Sequence, residues 1–168
     1  MPTKWILIAA TVTSIFAAER LATTTALKPE KMVGAWRSKV QFLDGPFAAT
    51  KDLEFLMAVN QGGTMTESSN YDCMPPVPPA YGAWKQTGTN SFELRYEYFN
   101  SKPPTTFDEI SKGGGWAPGG RGVIIEKVKL ANDGKTYTSK ISFVLRDETG
   151  KVIPGGGSAV AKGVRISP

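Results

Sequence analysis

The chain has 168 residues, 40% of them hydrophobic, and its 20 Lys and Arg exceed its 15 Asp and Glu to give a formal charge of +5. That is room for one domain with a real core, and 18 Gly with 12 Pro favour many turns over long helices. Histidine is absent, which excludes Ser-His and Cys-His nucleophile pairs and removes the commonest general base and transition-metal ligand; neither a metal nor another cofactor is expected.

At the N-terminus, Lys4 is the only charge before Glu19, and Trp5 to Ala18 is apolar apart from Thr11, Thr13 and Ser14. A basic start, an apolar stretch too short for an ordinary transmembrane helix, and small residues Ala17 and Ala18 at its end read as a secretory signal over 1–18. Ile15 or Phe16 at the outer small position of the cleavage site leaves an uncleaved anchor or a plain amphipathic helix as competing readings. Once the signal is removed, the expectation is a secreted or periplasmic protein without a stable membrane span. Residues 19–31, with Ala-Thr-Thr-Thr-Ala and Lys28-Pro29-Glu30, suit a linker.

Val33 to Phe42 is the first run with a clear period, and its strand is Gly34–Phe42. Trp36, Ser38, Val40 and Phe42 fall on one side of an extended segment and Arg37, Lys39 and Gln41 on the other, as in a half-buried strand. Leu53 to Val59 is a strongly apolar strand, and Gln61-Gly62-Gly63 reverses it into Thr64–Ser69. Four prolines within 75–79 bar that stretch from a central strand and make it a stiff loop over the end of a barrel. Beside it, Cys73 has no second thiol to pair with and reads as a buried, inert residue.

Tyr81 to Thr87 resumes strand pattern, and Ser91 to Phe99 presents Phe92, Leu94, Tyr96 and Tyr98 to the core. Asn100 to Gly120 shows no strand pattern and reads as a lid with Phe107, Ile110 and Trp116 as its apolar underside, the competing reading being that these residues simply pack against the barrel wall. Its glycines lack the Lys-Ser/Thr of a phosphate loop. Arg121–Leu130 and Lys135–Arg146 flank the hairpin signal Asn132-Asp133-Gly134, the second strand facing inward with Tyr137, Ile141, Phe143 and Leu145. Pro154-Gly155-Gly156-Gly157 breaks the last segment, leaving Ser158–Ile166 as its strand.

Eight strands adjacent in sequence predict an all-β, eight-stranded antiparallel up-and-down barrel over 32–168, closed so that no edge is exposed. Such an interior is either filled by side chains or holds one small ligand. Here the chain resembles the lipocalin-like, or calycin, barrels, in which a Gly-x-Trp opens the first strand, as Gly34-Ala35-Trp36 does, and a late Arg packs over the Trp, a role for Arg165. A typical lipocalin adds a helix after the barrel and a disulfide, whereas this chain runs two residues past Ile166 and has one Cys. The resemblance is therefore closer to small bacterial lipocalin-like proteins or to barrels of the allene oxide cyclase type. Gly34, Trp36 and Arg165 are structural residues of that family and imply no activity.

The leading functional expectation is a binding barrel for a small hydrophobic or aromatic molecule. Its candidate lining is Phe42, Phe55, Trp84, Tyr96, Tyr98, Trp116, Tyr137 and Phe143, and the competing reading is that these rings merely fill the core. The alternative is a cyclase or isomerase that folds a polyene or epoxide by shape and water exclusion, with Glu67, Glu97 and Tyr96 as candidate polar groups, joined by Glu93 and Tyr98. The default place for each carboxylate is the outer, solvated face. A third reading is a partner-binding module that uses the Pro-rich loop. Scattered basic residues suit a solvated surface, so no nucleic-acid partner is expected, although an anionic ligand or surface stays open; the oligomeric state is not legible.

Overall fold

A computed structural model describes residues 31–72, 77–108 and 116–168. The expectations for 1–18, for 19–30, for Cys73 and for Ile110 lie outside the described residues. The elements are β1 (Gly34–Phe42), β2 (Glu54–Val59), β3 (Thr64–Ser69), β4 (Ala80–Gly88), β5 (Ser91–Lys102), β6 (Ala117–Leu130), β7 (Thr136–Arg146) and β8 (Val152–Arg165). Each strand pairs antiparallel with its sequence neighbour, and β1 closes on β8 from Trp36↔Arg165 to Phe42↔Ala159. The all-β, up-and-down closed barrel is thus present, and closure leaves no unpaired edge.

The alternation read from the sequence sets the inside. Trp36, Ser38, Val40 and Phe42 of β1 are all buried, as are Phe92, Leu94 and Tyr96 of β5, while the intervening Arg37, Lys39 and Arg95 are exposed. Fully burying a large apolar side chain contributes roughly 1.5–3 kcal/mol, so one slip in register would invert the whole set and is strongly opposed.

One end of the barrel is plugged. The Trp36 indole N–H donates to Met32 O at 2.9 Å, and its ring meets Tyr137 edge-on with centroids 5.3 Å apart. The Arg165 guanidinium lies 4.2 Å from the Trp36 ring centroid and donates to the main-chain oxygens of Lys31, Val33 and Gly134. Gly34, at φ +139°, is required beneath it because a Cβ there would collide with Arg165 Nη1.

Two expectations about irregular segments need correction. Pro154-Gly155-Gly156-Gly157 does not break β8, which runs through it; pairing passes from Phe143↔Gly157 to Leu145↔Ile153, so the surplus residues form a bulge with Gly155 at φ +113°. Nor is all of Asn100–Gly120 a loop. Ser101↔Pro118 and Lys102↔Ala117 prolong the β5–β6 hairpin past a second register shift, and Phe107 and Trp116 are 82% and 45% exposed instead of forming an apolar underside.

Candidate functional site

At the other end of the barrel the described residues come from connections and strand ends. A pocket of 190 Å³ lies there. Phe42 and Phe143 reach it from the ends of β1 and β7, Leu53 and Phe55 from the start of β2, Tyr98 and Asn100 from β5, and Ile124 from β6. The β1–β2 connection adds Phe47 and Thr50, and the β3–β4 connection adds Tyr71, Asp72, Val77 and Pro78. The described part of the Pro-rich loop therefore does stand at the barrel mouth.

The aromatic rings form one cluster. Centroids lie 5.4 Å apart for Phe42 and Phe47, 6.0 Å for Phe42 and Phe143, and 6.3 Å for Phe47 and Phe143, while Tyr98 stacks on Phe143 at 6.2 Å.

Below the rings the interior turns polar. Glu67 on β3 and Glu126 on β6 point inward and are 6% and 1% exposed. The Tyr96 hydroxyl donates to Glu126 Oε2 at 2.9 Å. Among the described residues Glu67 Oε1, Glu126 Oε1, Ser38 Oγ, Ser139 Oγ and the Tyr137 hydroxyl have no hydrogen-bond partner, although buried polar atoms in native proteins almost always do. Glu67 belongs to both sets, lining the pocket and forming part of this polar layer.

Electrostatics follow from burial. Desolvation first, then the charges of Asp72 and Glu126, raise the Glu67 carboxyl well above the usual carboxylate range. Glu126 is also raised by burial, with the neighbouring Ser139 and Tyr96 hydroxyls opposing the shift. Burial and the charge of Glu126 push up Tyr96 and Tyr137, and burial with the charge of Glu67 pushes up Tyr98. All three phenols therefore remain donors at neutral pH. The positive charge is outside, where β1, β6, β7 and β8 carry Lys39, Lys127, Lys129, Lys140 and Lys162.

Of the candidate ligand contacts, Phe42, Phe55, Tyr98 and Phe143 meet at the pocket. Tyr96 lies deeper, in the polar layer. Trp84 and Tyr137 belong to the plugged end: the Trp84 indole donates to Asn60 O at 2.9 Å and its ring packs on Phe92, while Tyr137 packs on Trp36. Trp116, half exposed before β6, is not among the pocket residues.

Of the candidate polar groups, Glu67 and Tyr96 are inside, against the default outer placement for the carboxylate. Glu93 and Glu97 are outside, paired with Lys85 at 3.0 Å and with Arg95 at 2.7 Å. Among the described residues no three metal-ligating side chains gather. No family model matches the chain, and no curated protein matches it either.

Glu126 and Phe47 were not singled out in the sequence. The signal for Glu126 is the alternation of Ile124, Glu126, Val128 and Leu130 against Lys127 and Lys129, blurred by the apolar Ile125 on the outer face. Phe47 sits in a connection, where no period identifies a ring that folds back over the barrel.

Proposed function

We propose that the chain is a lipocalin-like barrel that binds one small, partly apolar molecule at the end opposite the plug. The observation that carries this reading is the 190 Å³ pocket, walled by clustered aromatic rings and floored by the buried Glu67, whose Oε1 has no partner among the described residues. A few polar groups converging beneath an apolar wall are what orient a ligand in such sites. The lipocalin-like affinity is supported by Gly34-Ala35-Trp36 opening β1 and by Arg165 stacking on Trp36 across the closed end. The apolar 5–18 stretch favours an exported protein.

Native mass spectrometry of the exported protein, before and after mild organic extraction, tests the reading. A discrete extractable mass is the expected result. A bare protein that also shows no saturable quenching of tryptophan fluorescence across lipids, terpenes and polyphenols would overturn it.

The second reading, a cyclase or isomerase, draws on the raised proton affinity of Glu67 beside an aromatic pocket, the environment of a general acid. Loss of turnover on Glu67→Gln with unchanged substrate binding would separate it from simple binding. The Pro-rich loop serves the pocket in the first reading, through Val77 and Pro78, so a separate partner-binding role has no observation behind it.

A further inference from the structure

The pocket's chemistry narrows the ligand class. We infer that it takes a small arylalkyl or alkyl amine, bound as the ammonium, with its nitrogen on Glu67 and its hydrocarbon among Phe42, Phe47, Phe143 and Tyr98. This inference rests on the ligand-binding reading above and adds the headgroup to it.

Three independent features converge. The first is charge sign: the described lining contains the carboxyls of Glu67 and Asp72 and no basic side chain, on a protein of net charge +5 whose described lysines are exposed. The second is an unmet bonding demand. Glu67 is 6% exposed, is carried inward by the pleat of β3 and has Oε1 without a partner among the described residues, yet it lines the pocket. A buried carboxyl oxygen left unpaired is costly, and an ammonium supplies the missing donor together with the countercharge that lets the group ionise.

The third is the wall. Four rings with centroids 5.4–6.3 Å apart offer π-faces to a cation and an apolar lining to its carbon chain. Size agrees, since a cavity of roughly 150 Å³ holds one benzene and this pocket of 190 Å³ leaves space for a short chain as well. A carboxylic acid of the same shape would meet Glu67 and Asp72 with like charge, and an alcohol would forgo the ion pair.

Binding moves a proton. The groups facing Glu67 are Asp72 after β3, Tyr96 and Tyr98 on β5, Glu126 on β6 and Tyr137 on β7, all of them acids or phenols. With no cation among them, the empty site keeps the Glu67 carboxyl protonated to a higher pH than an exposed glutamate. When R–NH3⁺ docks on a site whose carboxyl is still protonated, that carboxyl ionises and its proton leaves to solvent, with no bond made or broken in the ligand. Amine affinity accordingly rises with pH until the empty-site carboxyl has ionised.

The test is isothermal titration calorimetry of the full chain with phenethylamine, 2-phenylethanol and 3-phenylpropionate. Phenethylamine is expected to bind at least tenfold more tightly than the alcohol, with the acid weakest. Its apparent enthalpy should track the ionisation enthalpy of the buffer, a proton-release readout on the unmutated protein that needs no variant to fold. Glu67→Gln should cost at least tenfold in amine affinity and bring amine and alcohol close together, and Asp72→Asn should weaken the amine less.

Equal affinity for amine and alcohol, or an amine enthalpy indifferent to buffer at every pH down to the ordinary glutamate value of 4.5, overturns the ligand class while leaving the binding barrel standing. So does an extractable mass from the native protein that contains no basic nitrogen. Absence of binding by all three probes, together with a bare native mass, overturns both.

Discussion

The ring of Tyr137 lies against the bare Cα of Gly163, its register partner across β7 and β8, where any Cβ would collide with it. The arrangement recurs. Tyr96 faces Gly82 across β4 and β5, and Tyr98 faces Gly122 across β5 and β6, in both cases leaving no space for a side chain on the glycine. The rings of Tyr137 and Tyr98 thus each lie on a glycine of the neighbouring strand, whereas at Gly82 the space is taken by the Cα and Cβ of Tyr96 and the Arg95 carbonyl.

Gly163→Ala is therefore expected to force the Tyr137 ring off Trp36, 5.3 Å away, and to destabilise the fold by about 1–3 kcal/mol, as overpacking does. Chemical denaturation measures the loss. Gly122→Ala acts on Tyr98 at the pocket, so ligand affinity should fall along with stability, whereas Gly163→Ala, at the plugged end, should leave affinity nearly unchanged.

Arg165 joins the two ends of the described chain at the plug, holding Lys31 O and Val33 O while covering Trp36. Arg165→Ala removes the stacking and the donors to three main-chain carbonyls together, for an expected loss of about 2–4 kcal/mol. Lysine should not rescue it, since an ammonium cannot spread donors over three carbonyls and stack on an indole at once. Equal stability of the Lys and wild-type proteins in urea would show that charge alone matters there.

The barrel was legible because its signal is local. A period of two, interrupted by Gly62-Gly63 and by Asn132-Asp133-Gly134, is written in consecutive residues, and β1 and β3 carry the bounds their patterns predict. The Trp36–Arg165 contact was legible as well, through a short family pattern. The polar layer was not. Whether Glu67 faces in or out depends on the pleat, and β3, reading Thr64-Met65-Thr66-Glu67-Ser68-Ser69, has only Met65 to mark its inner side. The continuation of β8 through Pro154 was hidden for the opposite reason: local chemistry argues for a break, and the partner strand overrides it by absorbing the surplus residues in a bulge.

The Tyr96–Glu126 bond spans the polar layer, with both groups buried and Glu126 Oε1 unpartnered among the described residues. Tyr96→Phe withdraws the hydroxyl that donates to Glu126 Oε2, and the expected cost is about 1–3 kcal/mol, the penalty of stranding a buried acceptor. Glu126→Gln keeps the shape and lightens the desolvation, so it should cost less. A double-mutant cycle reads the coupling, which should be favourable and at least about 0.5 kcal/mol. Additive effects would mean that the hydroxyl and the carboxyl do not act as a pair.

Glu67 and Glu126 also give the barrel a pH dependence with a definite sign. Both folded carboxyls are raised above their ordinary value of 4.5 by burial, Glu67 the further because Asp72 and Glu126 add to it. In the window above that ordinary value the native state binds more protons than the unfolded chain, so unfolding free energy falls as pH rises. The stability from these groups is fully present below the unfolded value and is lost as pH climbs through the raised folded values. The exposed Asp44, Asp147 and Glu148, lowered chiefly by hydrogen bonds from Ser158, Thr149 and Lys102, contribute in the opposite direction. Subtraction removes them, because Glu67→Gln leaves all three in place. The stability of Glu67→Gln relative to the parent, from urea melts at pH about 5 to 8, should therefore rise steadily with pH, and Glu126→Gln should show the same trend to a smaller extent. A flat difference would mean that Glu67 ionises as an exposed glutamate does, which its place beneath the aromatic rings argues against.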